Sequence, residues 1–299
     1  MDKPWLASYP AGVVHDIDVT QYHSLTELLE ESFRRNKDRP FSVCMDRWMT
    51  YGQVDSLSTA LGAYLQSRGL EPGSRVAIML PNLPQFAITM AAILRAGYTC
   101  VNVNPLYTAR ELEHQLRDSG ATAIVILENF AHTLEEVIEK TQVKEVVVTS
   151  LGDYLGFWYG RWLTFAVRHL AKMVPAYKLP LSDERVVTTF KRAIARGATL
   201  TLRPAPQTLD SIAFLQYTGG TTGLSKGAVL THRNIVAAIL QAEAWFTPAL
   251  GRVGDVSRTN SIMALPLYHI FALTLCLLGI RWGSHMTLIP NPRDIGKFV

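Results

Sequence analysis

Tyr217-Thr218-Gly219-Gly220-Thr221-Thr222-Gly223-Leu224-Ser225-Lys226-Gly227 follows one short apolar run, Ile212-Ala213-Phe214-Leu215, and precedes another, Ala228-Val229-Leu230. It reads as a loop strung between two buried strands. Its glycines let backbone N–H groups approach an anion closely and form a concave nest. The Thr and Ser hydroxyls donate to phosphoryl oxygens, and Lys226 adds a point charge. The order of residues excludes a Walker A loop, because Ser225 precedes the lysine and Gly227 follows it. Composition alone therefore says "anion". A flexible Gly/Ser/Thr surface loop is the alternative it leaves open.

Outward from this loop the chain alternates. Ser24-Leu25-Thr26-Glu27 is a capping box, after which Leu25, Leu28, Leu29 and Phe33 recur at helical spacing. Phe41–Cys44 suits a strand, and Thr50 opens a second helix with Val54, Leu57, Leu61 and Leu65 on one face. Strands are expected at 75–80, 98–103, 122–127 and 145–149. Helices are expected near 84–96, 109–119 and 131–140, two of them stopped by Gly97 and Gly120. Asp210 begins the strand leading into the loop, and Thr231 is a good N-cap for a helix over 233–245. Continuously apolar strands separated by helices indicate an α/β fold with mainly parallel sheets covered by helices.

The 299 residues, 48% apolar and 18% charged, suffice for one large domain or two smaller ones. The net charge of +4 is too small to argue for nucleic acid. Cys44, Cys100 and Cys276 are far apart and in no metal-ligand spacing, as expected of buried thiols in a reducing compartment. The first residues lack a secretory pattern, so a cytoplasmic location is expected. Residues 262–280 are apolar enough to suggest a membrane span, but Pro266 and Tyr268-His269 interrupt them. A strand, a loop and a core helix explain them better.

Residues 155–205 differ in character: nine Arg and Lys face only Asp183 and Glu184. Trp158, Trp162 and Phe165 fall at helical spacing beside basic residues, which suits a basic amphipathic helix on an anionic membrane surface. It suits equally a surface helix packing its aromatics onto the domain.

The loop together with Leu230-Thr231-His232-Arg233-Asn234 resembles the signature of the acyl-adenylate-forming (AMP-binding) enzymes. Leu80–Pro84 and Asn102–Tyr107 read on their own as Pro-containing turns, and they also resemble early motifs of that family. Ala264-Leu265-Pro266-Leu267-Tyr268-His269-Ile270-Phe271 is similar to the family's carboxylate-site stretch, although an isolated His in an apolar run is more often a core residue. With its basic aromatic segment, the chain resembles the N-terminal portion of the long-chain fatty acyl-CoA synthetases.

The resemblance implies a partial adenylate-forming fold without its C-terminal lid. Residues 22–150 would form an alternating strand/helix subdomain, 151–208 a basic amphipathic insertion and 209–299 an incomplete phosphate-loop subdomain. It implies that Tyr217, Thr218, Gly219, Gly220, Thr221, Thr222, Gly223, Leu224, Ser225, Lys226, Gly227 and Ala228 hold ATP, with Thr221 and Lys226 in the chemistry. His269 would orient the carboxylate or gate its tunnel. ATP, Mg²⁺ and CoA are the implied cofactors, with no metal ligand assignable in this chain. The implied partners are a long-chain fatty acid, the inner face of a membrane and a second copy of the chain. Adenine, ribose and lid motifs are expected beyond residue 299. A non-catalytic ATP- or membrane-binding fragment, or a ligase for another acid, are the alternatives.

Overall fold

The computed structural model describes residues 3–182, 185–219, 224–251 and 254–293. Helix α1 (Leu25–Arg35) is followed by the hairpin β1 (Pro40–Cys44) and β2 (Arg47–Thr50), then α2 (Tyr51–Gln66). The alternation continues through β3 (Arg75–Met79), α3 (Pro84–Arg95), β4 (Thr99–Asn102), α4 (Ala109–Ser119), β5 (Ala123–Leu127), α5 (Ala131–Glu135) and β6 (Glu145–Thr149). After α6 (Phe157–Phe165) come β7 (Val186–Thr189) and α7 (Phe190–Gly197). The chain continues with β8 (Ile212–Thr218), β9 (Lys226–Thr231), α8 (His232–Leu250), β10 (Asn260–Met263), α9 (Ile270–Trp282) and β11 (His285–Leu288).

Among the described residues the strands form a seven-stranded sheet, ordered β7-β6-β5-β3-β4-β8-β9, and a four-stranded sheet, ordered β10-β11-β1-β2. Pairing is parallel throughout except for β9 on β8 and β2 on β1. Strands β3, β4, β5 and β6 of the large sheet are buried almost along their whole length, which is why their sequences are mainly apolar. Along β3, Val76 and Ile78 enter one core while Ala77 and Met79 enter the other. All of α3 is buried.

Local chemistry sets the helix ends. Thr50, Thr108 and Thr231 each make a reciprocal capping box, with Gln53, Glu111 and Asn234. Ser24 accepts from the Glu27 N–H, but the Glu27 carboxylate reaches one residue further back, to the His23 N–H at 2.6 Å. Gly120 ends α4 at φ +63°, a left-handed turn that favours glycine.

Two expectations are corrected and two unforeseen features are added. The strand after the loop is not buried: β9 is the sheet's edge, and Lys226 to Val229 are exposed. The helix expected over 131–140 stops at Glu135, and Ile138–Lys140 is a separate 3-10 turn. Arg47–Thr50 is a strand, after a turn in which Met45 and Asp46 take positive φ. The segment 151–208 also supplies β7 and α7, and β7 pairs with β6 in the large sheet.

Residues 262–280 resolve into the end of β10, a loop and most of α9. Among the described residues no helix is long and apolar enough to cross a membrane.

Candidate active site

The parallel register pairs Asn102 of β4 with Gln216 of β8, so the two strands end side by side. In open α/β sheets that edge is where ligands bind. A cavity of about 180 Å³ opens there, lined by Asn102, Asn104, Tyr107, Gln216, Tyr217, Thr218, Gly219, Tyr268, His269 and Ile270. Three stretches singled out from sequence meet in it: the Asn102–Tyr107 turn, the start of the glycine-rich loop, and the Tyr268-His269 pair. A larger open depression of about 540 Å³ lies at the opposite edge, before β6 and β7, and contains none of these residues.

A chain of amide hydrogen bonds joins the walls. Gln115 Nε2 donates to the Asn102 carbonyl at 2.8 Å, and Asn102 Nδ2 to Gln216 Oε1 at 3.1 Å. Gln216 Nε2 then donates to the Tyr268 carbonyl at 2.8 Å. Each donor is nearly dry, where an unpaired amide is costly. Asn82 fixes the loop bearing His269 in the same way. Its Nδ2 donates to the carbonyls of Met263 (2.7 Å) and Leu265 (2.9 Å), and its Oδ1 accepts from the Leu267 N–H at 2.8 Å. The Leu80–Pro84 turn thus braces the site without lining the cavity.

His269 is solvent-exposed at the N-cap of α9, with its ring 4.7 Å from that of Tyr268. It is not a core histidine. Lys226 is exposed at the start of β9, directly opposite Thr218 of β8, so the glycine-rich connection is closed at its base. A Cβ at Gly227 would lie 3.0 Å from the Tyr217 ring, so glycine here lets the ring lie against β9. Leu224, Gly227 and Ala228 are exposed and Ser225 is half-buried. Gly220, Thr221, Thr222 and Gly223 lie outside the described residues.

Burial raises the phenol pKa of Tyr107, Tyr217 and Tyr268 above its usual value, so all three stay protonated and able to donate. For Tyr217 the nearby Asp118 carboxylate adds to the effect, and for Tyr268 the Arg293 guanidinium opposes it. Among the described residues no group of three or more His, Cys, Asp or Glu side chains is placed to hold a metal ion. Gln115, Gln216, His114 and Asp118 were not legible as site residues. For the three on α4 the one sequence signal, polar positions on a well-bounded helix, does not say which way that face points, and Gln216 is a single polar residue inside the apolar strand β8.

Comparison with known proteins adds to this geometry. The chain is 48% identical over 301 residues to a long-chain-fatty-acid–CoA ligase of Salmonella typhimurium, and 48% identical over 302 residues to one of Yersinia pestis. Both alignments cover 100% of this chain and 52% of the relative, so the chain spans about half the length of these curated relatives. The fold matches the crystal structure of a long-chain-fatty-acid-CoA ligase from Archaeoglobus fulgidus, with a TM-score of 0.68 at 22% identity over 90% of this chain and 47% of that one. The profile of the family described as AMP-binding enzyme matches residues 29–299. The chain belongs to the AMP-binding enzyme family.

Proposed function

We propose that this chain is the phosphate- and carboxylate-binding portion of a long-chain fatty acyl-CoA ligase. The observation that carries this reading is the meeting of the glycine-rich loop, the Asn102–Tyr107 turn and His269 at one cavity. In the proposed reaction a fatty carboxylate oxygen attacks the α-phosphorus of ATP. The acyl–phosphate bond forms as the bond to the β-phosphate oxygen breaks, releasing pyrophosphate. The CoA thiolate then attacks the acyl carbonyl, forming the thioester and releasing AMP.

The first step needs charge neutralisation and alignment rather than a nucleophilic side chain. Thr218 to Lys226, Thr221 included, would hold the departing pyrophosphate, while Gly227 and Ala228 continue the strand behind it. His269 would orient the acid. The triphosphate is expected to arrive as its magnesium complex, which lowers its charge, and no residue is assigned to the metal. CoA, adenine and ribose contacts are not assigned either.

The test is oleate-dependent ATP–pyrophosphate exchange, in this chain and in a longer chain that carries it within the relatives' full length. Exchange is expected in the longer chain and should fall roughly a hundredfold in Lys226→Ala. Absence of exchange in the longer chain overturns the assignment to fatty-acid activation.

A second reading concerns location. Of the aromatic rings of α6, Tyr159 packs against the core, but the others stand out from the domain: Trp158 is 80% exposed, Trp162 60% and Phe165 53%. Arg161 lies over the Phe157 ring at 5.5 Å, and neither α6 nor the turn after it carries an acidic residue. This supports peripheral attachment of residues 151–208 to the anionic inner face of a membrane, in a cytoplasmic protein that takes its substrate from lipid. A homodimer belongs to the same proposal, and sedimentation equilibrium tests it.

A further inference from the structure

Helix α4 contributes nothing to the glycine-rich loop, yet it grips both ends of it. The Tyr217 hydroxyl donates to Asp118 Oδ2 at 2.5 Å, where β8 runs out into the loop. At the other end, His114 Nε2 lies 2.9 Å from the carbonyl oxygen of Ser225, one residue before β9 begins. A carbonyl can only accept, so Nε2 carries the proton and donates. His114 and Asp118 are four residues apart and so share one face of α4. The helix is itself held from below: Leu112 and Leu116 are fully buried in the core on that side of the sheet, and Gln115 bonds the Asn102 carbonyl.

The loop needs such support. Its glycines lose more backbone freedom on ordering than other residues, so an unbraced loop would bind an anion at a large entropic cost. The strand that receives the loop is an exposed edge, and β8 is its one ladder partner among the described residues. Tyr217 is almost fully buried and stays protonated, so it keeps donating to Asp118 across the working pH range.

We infer that His114 and Asp118 are positioning residues that set the two ends of the phosphate loop from outside it and so preorganise it for a pyrophosphate group. This rests on the phosphate-holding role proposed above. Neither residue lines the cavity, and both act through the loop backbone or through Tyr217.

The experiment compares the 299-residue chain with His114→Ala, His114→Gln, Asp118→Ala and Asp118→Asn. Hydrogen exchange is read in the free protein and ATP affinity by calorimetry. Each alanine variant should exchange about fivefold to tenfold faster over residues 217–228, with α3 unchanged, and bind ATP more weakly by a similar factor. Gln keeps a donor for the Ser225 carbonyl and Asn keeps an acceptor for the Tyr217 hydroxyl, so both should restore exchange and affinity. Unchanged exchange in the alanine variants overturns the inference, as does faster exchange with unchanged ATP affinity. If neither this chain nor the longer chain that carries it binds ATP or pyrophosphate, the phosphate role fails instead, and the exchange pattern alone still decides whether α4 holds the loop.

Discussion

Helices α3 and α6 have similar compositions and opposite fates. Both are apolar with a single arginine. In α3 every residue is buried, whereas in α6 the one fully buried residue is Gly160. The arginines differ in the same sense. Arg95 of α3 lies over the buried Phe33 ring, is paired with the Asp55 carboxylate at 2.6 Å and also donates to the Asp55 carbonyl and the hydroxyls of Ser58 and Thr59. Arg161 of α6 lies over an exposed aromatic ring. A buried charge must be paired, while an exposed one can simply sit on a hydrocarbon face. Apolar sequence therefore predicts burial only where neighbours on both sides supply the cover.

The largest effect that would sharpen this contrast is expected from Phe86→Ala in α3, which should cost about 3–5 kcal/mol in denaturant unfolding. A loss under ~1 kcal/mol would place α3 with α6.

Protons probe the same interior through His232, which is fully buried and accepts the Leu25 N–H at Nδ1 (3.0 Å). Burial lowers its pKa from 6.5 to about 4. Between those values the unfolded chain takes up a proton that the folded chain refuses. This contribution to stability is therefore complete above pH ~6.5 and lost as the pH falls towards ~4, by on the order of 3 kcal/mol. His232→Asn keeps an acceptor for Leu25 and should flatten that part of the pH profile. An unchanged slope would show that another group sets it.

A smaller effect is expected where α6 meets the body of the protein. A Cβ on Gly160 would lie 2.1 Å from the Gly152 carbonyl oxygen, so Gly160→Ala should displace the helix at a cost of about 1–3 kcal/mol. Faster chymotryptic cleavage at the α6 aromatics would report the displacement. The smallest stability change belongs to the pair Trp158→Ser and Trp162→Ser, within about 0.5 kcal/mol each. Their sedimentation with phosphatidylglycerol-containing vesicles should nonetheless drop. A larger stability loss would mean that the rings pack on the domain after all.

Sequence was informative where signals are local. Thr108 and Gly120 bound α4 because a capping hydroxyl and a left-handed glycine act within a turn. It was silent where structure depends on distant partners. Strand β2 follows a turn in which Met45 and Asp46, neither of them glycine, adopt left-handed conformations. Nothing local announces that. Within the site, Tyr217–Gly219 and His269 were named from motif positions and do share a cavity. The bonds that hold them, from Gln115, Gln216 and Asp118, span 13 to 99 residues of chain and exist only once the sheet has formed.

The four-stranded sheet carries a consequence for how the protein is made. Its strand β1 pairs in parallel with β11, and the Tyr51 hydroxyl beside it donates to the Ser284 carbonyl. Ribosomes add roughly 5–20 residues each second, so the interval between the emergence of β1 and of its partner is on the order of ten to fifty seconds. Throughout that time the β1–β2 hairpin presents an unpaired edge and the apolar underside of Phe41 to other nascent chains. Yield in a cell should thus depend on translation speed and on chaperones that shield that hairpin until β11 appears.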